Sequence, residues 1–413
     1  MSGPSIRAAA QTPQGVEHMK EKVLTRGLVL CTVCALFYSM MFFMFFTGIS
    51  SYSDDFFGTS STVAGIVVST FVIGDLLARG YFGRRMNLVG KKRLSVIALG
   101  ICTAVSASYL VVDSLAVFIV IRIVQGFCYG AASSAVNTLV TEQLPASRRG
   151  EGLGYFMLSM SLGSAIGPFL CMWLLNNVSY DSVFIVGTVF SLLALVMVLG
   201  VSEVRREYTP EEIADMRSIK LSNYYEKAAL PVSIVCFVLF FSYSGVLSFM
   251  SPYGTEIGME TAASVFFIFI STTTLISRLF LCKITDTRGD NMAIIPFFLL
   301  FVAGYFMLAT AETPAVLLAA GLLMGFNIAQ YVSVGQAAAV RNSPKERYGV
   351  AVSTFSIFLD LSYVAGPMVH GFLIGELGYR DDFLIMACVS GLALIMYVFL
   401  HGIREHHRMS SLG

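Results

Sequence analysis

Charge is scarce in this chain. Asp, Glu, Lys and Arg together make up 13% of its 413 residues, whereas hydrophobic residues make up 56%. A soluble globular domain carries about 25% charged residues, so the shortage excludes an ordinary water-soluble protein. The mean hydropathy of +0.75 points the same way. The composition therefore predicts an integral membrane protein that has the lipid bilayer as a partner.

Recognisable reaction chemistry is also missing. The sequence has no nucleotide-binding loop, no zinc-ligand spacing and no nucleophile–base constellation. We therefore predict that the chain is not an enzyme and has no cofactor, no metal and no nucleic-acid partner. The eight cysteines all fall inside apolar runs, and Cys31-x-x-Cys34 lacks a second pair or a histidine cluster. We interpret them as buried, inert thiols.

A signal peptide is absent as well. Residues 1–22 are polar, and the first apolar run is too long for the hydrophobic segment of a signal peptide, so it should remain as a membrane span. A span needs about 20 apolar residues. Twelve runs meet that need, at 26–50, 60–82, 94–112, 115–140, 151–175, 182–201, 231–252, 262–282, 293–311, 315–339, 349–373 and 382–402.

Basic residues are almost confined to one set of loops. If the N-terminal tail is cytoplasmic, the outer loops hold a single basic residue, Arg380, among acidic ones. The inner loops and tails hold the remaining Lys and Arg clusters, for example Lys91 to Arg93. This bias predicts that both termini are cytoplasmic in a multi-pass protein of the plasma (inner) membrane.

One hydrophilic stretch divides the spans into two sets of six. Within it, Thr209-Pro210-Glu211-Glu212 has the form of a helix-capping box, which indicates a short amphipathic helix on the membrane surface. A flexible tether is the alternative. The predicted parts are an N-terminal tail (1–25), a six-helix bundle (26–201), a linker (202–230), a second six-helix bundle (231–402) and a C-terminal tail (403–413).

The two sets of spans are related by a constant offset of 199 residues. The offset superimposes Arg79 on Arg278, Asn87 on Asp286, Gly90 on Gly289, Gly126 on Gly325 and Gly167-Pro168 on Gly366-Pro367. A parallel repeat of this kind gives two similar bundles that can rock about a site at the membrane midplane. The predicted fold is all-α, with twelve transmembrane helices in two parallel-repeat six-helix bundles. Such a pair favours alternating access over a channel or a membrane enzyme.

The fifth run carries small residues at demanding positions. Gly154, Gly163, Gly167 and Pro168 give the spacing Gly-x8-Gly-x3-Gly-Pro, and Gly163 with Gly167 forms a face that another helix can approach closely. An ordinary kinked, tightly packed span is the alternative. The spacing resembles the antiporter motif of twelve-span drug:proton exporters in the major facilitator superfamily, which implies a transporter that exports its substrate.

The stretch after the second run resembles the cytoplasmic gate motif of the same superfamily. Asn87 replaces the Asp of that motif, which in the family caps a neighbouring helix, so we expect a weaker gate. The copy after the eighth run keeps the Asp but loses the first Gly. Simple positive-inside anchoring is the alternative for both. The predicted gate residues are Arg79, Gly83, Asn87, Gly90, Lys92, Arg93, Arg278, Asp286, Arg288 and Gly289.

Arg122, Asp75 and Asp360 stand out among the ionisable residues inside spans. Arg122-x-x-Gln125-Gly126 resembles the family's Arg-x-x-Gln-Gly motif, which implies a role in proton coupling; snorkelling of Arg122 to the headgroups is the alternative. Asp75 stands four residues before Arg79, so an ion pair within the helix is expected. Asp360 is expected to lie far from any basic residue. Burial disfavours its charged form, which makes it a candidate for reversible protonation, although a neutral, hydrogen-bonded Asp is the alternative.

In the family, the first, fourth, seventh and tenth spans line the substrate cavity. Aromatic rings and amides at those positions suit a mid-sized amphipathic solute, while lipid-facing or packing roles are the alternative for each ring. The predicted cavity residues are Tyr38, Phe42, Gln125, Tyr129, Tyr243, Asn327, Gln330 and Tyr331.

These patterns predict a monomeric, proton-coupled exporter of small organic molecules, with protons exchanged at Asp360, Arg122 and Asp75. Two alternatives stay open. One is a proton symporter that imports a nutrient such as a sugar or an organic acid, for which Arg122 would suit an anion. The other is a membrane sensor or lipid-handling protein that retains the transporter fold. The first span has no acidic residue, which argues against a specificity for cationic drugs.

Overall fold

The computed structural model describes residues 25–144, 149–203, 208–210, 213, 216 and 225–410, apart from the side chains at 84, 149–151, 278–288, 329, 346, 406, 407, 409 and 410. These segments are almost entirely helical and contain no β-strand. The helices are α1 Arg26–Phe57, α2 Ser61–Val89, α3 Lys91–Ser108, α4 Leu115–Gln143, α5 Arg149–Asn177, α6 Tyr180–Leu199, α7 Leu230–Glu256, α8 Glu260–Arg288, α9 Asp290–Ala309, α10 Pro314–Arg341, α11 Tyr348–Leu377, α12 Tyr379–Tyr397 and α13 Ile403–Ser410.

Twelve of these helices, α1 to α12, are long and apolar enough to cross a membrane. Their number and order confirm the predicted all-α class. Within each set of six helices the connections are short, so consecutive helices run in opposite directions. Ser50 near the end of α1 contacts Ser248 near the end of α7, so both sets start on the same side and both ends of the described chain lie there. We call that side the terminal side.

The predicted loop after the second span is helical instead. α2 continues seven residues beyond the predicted end at residue 82, because residues 84–89 contain neither Pro nor Gly. It stops at Gly90, whose φ of 93° lies in the region that favours glycine. α8 behaves in the same way and ends before Gly289, with a φ of 81°. Both gate motifs therefore stand on helix ends.

Glycine contacts reproduce the sequence repeat in three dimensions. A Cβ on Gly126 of α4 would meet the backbone oxygen of Phe71 in α2 at 1.8 Å, and a Cβ on Gly325 of α10 would meet that of Ile270 in α8 at 2.2 Å. Both members of the second contact stand 199 residues after those of the first. The helix pairs α2–α4 and α8–α10 are thus packed backbone to backbone in the same way.

Two ion pairs, one in each bundle, are related by the same offset of 199 residues, but the acidic and basic positions are exchanged. Lys91 Nζ lies 2.7 Å from Glu142 in the first bundle, and Asp290 pairs with Arg341 in the second. Each residue stands 199 positions from a counterpart of opposite sign. Both pairs join the start of the third helix of a bundle to the terminal-side end of its fourth helix.

The two bundles meet along α2 and α11 and, at their ends opposite the terminal side, along α1 and α7 and along α5 and α8. A Cβ on Gly65 would meet the carbonyl oxygen of Pro367 at 2.0 Å, which shows how closely α2 and α11 approach. Ser50 donates to the carbonyl oxygen of Ser248 between α1 and α7. Asn176 donates to Ser264 at 3.1 Å between α5 and α8.

Two smaller expectations have different outcomes. The proposed amphipathic helix near 209–219 lies largely outside the described residues, so it stays a prediction. The cysteines were all expected to be buried, but Cys388 is exposed on α12, because a span has a lipid-facing side that an apolar run does not reveal.

Candidate functional site

Three charged side chains meet where α2 touches α11. Arg79 donates to both carboxylate oxygens of Asp75, at 2.7 and 3.1 Å, one helical turn away. Its other terminal nitrogen lies 3.3 Å from Asp360 on α11. The Asp75 and Asp360 side chains are nearly enclosed, whereas about a third of Arg79 is exposed. We call these three residues the charge triad.

The expected ion pair between Asp75 and Arg79 is confirmed, but the expected isolation of Asp360 is wrong. Arg79 approaches Asp360 from the other bundle, so distances along α11 alone could not reveal it. The two carboxylates share one guanidinium, but the Asp360 oxygen that lies 3.3 Å from Arg79 has no hydrogen-bond partner among the described residues, so this contact is an ion pair without a hydrogen bond. The triad therefore carries a formal charge of −1 when both acids are ionised.

Packing fixes the position of Asp75. A Cβ on Gly130 of α4 would come within 2.4 Å of an Asp75 carboxylate oxygen and 2.6 Å of its backbone oxygen. Gly74 is pressed against the carbonyl oxygen of Ile123 in the same way. The glycines of α4 and α2 thus hold Asp75 in place within the first bundle. Any movement at the triad is therefore a movement of α11.

Arg122 does not join the triad in the described contacts. Its guanidinium is 1% exposed, donates to Gln125 at 3.3 Å and to the carbonyl oxygen of Val68 at 3.4 Å, and lies 4.9 Å from the centre of the Phe71 ring. Gln125 in turn accepts from Tyr109 and donates to Ser106 at 2.7 Å. Snorkelling is excluded, since the side chain is enclosed within the first bundle.

The predicted aromatic residues form a cluster that crosses between the bundles. Tyr129 stacks on Phe42 at 5.2 Å and meets Tyr38 edge-on at 5.5 Å. Sequence reasoning missed the link to the second bundle. Phe46 of α1 meets Tyr363 of α11 at 5.5 Å. No predicted aromatic residue lies near Tyr363 in the sequence. Tyr363 does stand one turn after Asp360, and that spacing was the signal that could have revealed it.

Tyr243, another predicted cavity residue, joins the same cluster through Phe240, with ring centres 6.3 Å apart. Phe240 itself lies 6.2 Å from Tyr363. The cluster is therefore continuous from α4 through α1 and α11 to α7.

The amides of α10 are enclosed rather than open. Asn327 and Gln330 are 0% and 1% exposed, and neither amide has a hydrogen-bond partner among the described residues. Tyr331 is equally buried, and its hydroxyl donates to the carbonyl oxygen of Val232 at 2.9 Å. Buried amides without partners are costly, so these two side chains have an unused capacity to bind a polar group.

The gate residues have mixed surroundings. The Asn87 side-chain oxygen is buried without a hydrogen-bond partner in the described part of the chain, so no cap is formed by it in this conformation. The carboxylate of Glu203 instead accepts from the backbone nitrogens of Lys91, at 2.7 Å, and Lys92, at 3.1 Å. A Cβ on Gly83 would meet nothing within 4 Å. The side chains of Arg278, Asp286 and Arg288 lie outside the described residues.

The small residues of α5 divide into two groups. A Cβ on Gly163 would meet Ser39 of α1 at 2.5 Å, and one on Gly167 would meet the carbonyl oxygen of Met40 at 2.8 Å. The predicted close approach is confirmed for this face. Gly154 has nothing within 4 Å, so close packing does not explain it. Pro168 lies inside the continuous α5 helix.

One cluster has the residue types of a metal site. Ligand atoms of Asp290, His401 and Glu405 lie within 4.8 Å of one another. However, Asp290 already pairs with Arg341 and lies 2.9 Å from His401, and Glu405 binds Arg408 through both oxygens. With a guanidinium on each carboxylate, the arrangement functions as a charge network that ties α9 to the chain's C-terminal end.

The sequence also has relatives among known proteins. The model of the Major Facilitator Superfamily matches residues 31–314 and 265–411. The multi-drug resistance efflux pump PmrA of Streptococcus pneumoniae is 22% identical over 327 residues, covering 78% of this chain and 81% of that protein. The multidrug resistance protein MdtG of Escherichia fergusonii is 22% identical over 335 residues, covering 79% of this chain and 81% of that protein.

Solved structures share the fold at lower identity. The nucleoside transporter NupG aligns with a TM-score of 0.71 and 11% identity, covering 91% of this chain and 99% of that one. The inward open xylose transporter XylE from E. coli aligns with a TM-score of 0.71 and 16% identity, covering 90% and 94%.

Proposed function

The chain belongs to the major facilitator superfamily, and from that premise we propose that it is a proton-coupled exporter of small organic molecules that works by alternating access. Family membership makes it a multi-pass membrane transporter rather than an enzyme. The observation that carries the proposal is the charge triad, because Asp360 binds Arg79 across the boundary between the two bundles.

Protonation of Asp360 would weaken that link. Two unit charges about 4 Å apart attract each other by about 4 kcal/mol at an effective dielectric constant of about 20. A neutral Asp360 loses most of this attraction, while Arg79 keeps its bidentate partner Asp75 within α2. The bundles are then free to move apart along α2 and α11. Release of the proton restores the pair, so one proton exchanged per cycle can drive the rocking motion.

The substrate region we propose is the aromatic cluster beside the triad. Tyr38, Phe42 and Tyr129 offer ring faces, and Asn327 and Gln330 offer unpaired donors and acceptors. Rings with a few amides suit a mid-sized amphipathic solute. Arg122 is engaged inside the first bundle, so it offers no exposed guanidinium to an anionic substrate, and the anion-importer alternative loses its main support.

Two observations support export. The sequence carries the Gly-x8-Gly-x3-Gly-Pro spacing on α5, and PmrA, a relative of similar length, is named as an efflux pump. The Lys and Arg distribution supports a cytoplasmic terminal side in the plasma membrane. Protons would then enter from outside as substrate leaves.

Transport into membrane vesicles tests this proposal. Inverted vesicles that contain the protein are energised to an acid interior and offered a panel of fluorescent drugs, sugars and organic acids, with and without a proton ionophore. We expect ionophore-sensitive accumulation of at least one compound. Accumulation only in right-side-out vesicles would establish a symporter instead, and binding without accumulation in either orientation would favour the sensor alternative.

A further inference from the structure

A buried histidine and a buried acid lie together far from the charge triad, towards the end of α11 that is opposite the termini. His370, ten residues after Asp360, and Asp382 of α12 are both 0% exposed, and the His370 Nδ1 lies 2.8 Å from an Asp382 carboxylate oxygen. The His370 Nε2 lies 3.2 Å from the carbonyl oxygen of Phe241 on α7. The sequence had placed His370 simply at a span end, and the transport mechanism above does not use it.

The hydrogen bonds of this pair fix its proton count. A carbonyl oxygen only accepts, so Nε2 must carry a hydrogen. The short contact between Nδ1 and the carboxylate requires one more proton, either on the ring or on the acid. The pair is therefore neutral as a whole in this conformation. Without the shared proton, a nitrogen lone pair would face an anion in a buried site, which is strongly unfavourable.

We propose that His370 and Asp382 form a second proton-binding site, and that loss of its proton loosens the contact between α2 and α11 on the side opposite the termini. The His370–Asp382 proton site is additional to the one that the proposed function uses, and it does not depend on the identity of the substrate.

The ring is held too tightly to adapt on its own. A Cβ on Gly245 of α7 would lie 2.1 Å from the His370 Nδ1 and 2.2 Å from its Cγ, so the helix backbone presses directly on the imidazole. One Asp382 oxygen has no hydrogen-bond partner among the described residues. Deprotonation must therefore displace α12 or α11 rather than rotate the ring, because the space around it is filled.

The next residue of α11 transmits such a displacement to the first bundle. A Cβ on Gly371 would meet the backbone oxygen of Ser61 at 2.3 Å, and Thr62 donates to the Gly371 carbonyl oxygen at 3.5 Å. One turn earlier, Pro367 touches Gly65. The contact between α2 and α11 on this side thus lies directly beside the His370–Asp382 pair.

A cavity lies at the start of α12, on the side opposite the termini. It has a volume of about 420 Å³ and is lined by Asp54, Asp55, Glu256 and Tyr379, among others. Tyr379 begins α12, three residues before Asp382, so the first turn of α12 reaches from the acidic cavity to the buried pair.

The other groups around the pair do not change charge near neutral pH. α9 presents Tyr305 to Asp382, α7 presents the Phe241 ring to His370 at 5.9 Å, and α2 presents Ser61 and Thr62 to the neighbouring Gly371. Among the described residues, His370 is the only charged partner of Asp382. Tyrosine ordinarily ionises near pH 10, so these neighbours keep their charge near neutral pH.

Cross-linking of the adjacent helix contact tests the proposal without a substrate. A Cβ on Gly375 would lie 3.5 Å from the Thr62 hydroxyl oxygen, so Thr62→Cys with Gly375→Cys places two thiols at disulfide distance. Cross-link yield is measured in lipid nanodiscs between about pH 5 and about pH 9, in this background and in the same background with Asp382→Asn. The Asn amide donates to Nδ1 and keeps the pair permanently neutral.

We expect the yield in the Asp382→Asn background to exceed that in the parent background by about threefold or more at the alkaline end, a difference of about 0.65 kcal/mol, and to match it at the acidic end. The ratio of the two yields cancels the intrinsic pH dependence of disulfide formation. Asp360→Asn in the same background separates any contribution of the triad. An Asp382→Asn to parent ratio that stays constant with pH would overturn the coupling.

The proton site itself is measured by nitrogen-15 resonance of histidine-labelled protein, in which His370→Asn identifies the His370 signals. We expect Nε2 to stay protonated while Nδ1 loses its proton, or its hydrogen bond, over the same pH range. A His370 ring whose signals stay constant throughout would reduce the pair to a structural contact, whatever the outcome of the vesicle experiment.

Discussion

Asp360 lies 3.3 Å from Arg79, although the two residues belong to different bundles. Arg79 is held by Asp75 one turn earlier on its own helix, so the first bundle supplies a fixed positive charge and the second supplies an acid that meets it. Any rocking of the bundles must break or form this contact. In the mechanism that we propose, the pair links the protonation of one carboxyl group to the relative position of the two halves of the protein.

Asp360→Asn should abolish proton-driven accumulation in the vesicle assay while leaving folding intact. Asn has the shape of a protonated Asp, so Arg79 loses its partner on α11 permanently. We expect a fall of about tenfold or more in ionophore-sensitive transport, the effect of about 1.4 kcal/mol. Binding of the same solute, measured at equilibrium, should persist.

Glu376→Gln is the matched control, since Glu376 is an exposed acid on the same helix. It should transport like the parent protein. Unchanged coupling in Asp360→Asn would remove the triad as the proton site, and a similar loss in both variants would point to a general effect of charge on α11.

The α5 motif offers a test of close packing. Gly163→Leu forces a side chain against Ser39, whose Cβ would lie 2.5 Å from the new Cβ. Overpacking of this kind costs about 1–3 kcal/mol or more, so we expect a lower melting temperature and weaker expression. Gly154→Leu meets open space and should fold normally. Equal stability of the two variants, measured by thermal unfolding in detergent, would contradict the close approach of α5 and α1.

The sequence was most informative where one rule acts on a whole segment. Twelve spans follow from hydrophobic length, and the offset of 199 residues predicted two similar bundles, which is matched by the equivalent contacts of Gly126 with Phe71 and of Gly325 with Ile270. These features are set by bilayer thickness and by local small residues. They can be predicted without knowing which distant helices touch.

The site was predicted less well, because its key distances join helices from different bundles. Asp75 and Arg79 were paired correctly, since i and i+4 residues share a helix face. Asp360 was predicted to be isolated, since nothing along α11 reveals Arg79. Arg122 was predicted to couple protons from its motif, but its partners Gln125 and Val68 lie within the first bundle. That role for Arg122 stays a prediction.

Burial should separate the two charge-exchanged ion pairs. Asp290 is 1% exposed at its side chain, whereas Glu142 is 47% exposed. Arg341→Gln leaves the buried Asp290 carboxylate without its guanidinium and with His401 as its remaining side-chain hydrogen-bond partner among the described residues, which costs about 3 kcal/mol. Lys91→Gln leaves Glu142 in contact with solvent and should cost about 1 kcal/mol or less. We therefore expect thermal unfolding to show a clearly larger loss of stability for Arg341→Gln than for Lys91→Gln. The reverse order would mean that burial of the carboxylate does not set the cost of breaking these two ion pairs.

Glu226 supplies a pH-dependent contact outside the spans. Its carboxylate accepts from the backbone nitrogen of Ala228 at 3.3 Å and pairs with Arg347, and so connects the start of α7 to the start of α11. The backbone hydrogen bond from Ala228, followed by the bond and charge of Arg347, lowers the pKa of Glu226 below its ordinary value of 4.5. A lowered pKa in the folded state means that the unfolded chain binds protons more readily.

The contribution of Glu226 to stability is therefore fully present above pH 4.5 and is lost as the pH falls through the lowered folded-state pKa. Glu226→Gln should lower the melting temperature by about 2 °C at neutral pH, a small effect because the side chain of its partner Arg347 is 38% exposed and solvent screens that charge. The difference between variant and parent should shrink as the pH falls below 4.5. A difference that stays constant down to acid pH would show that Glu226 acts through packing rather than through its charge.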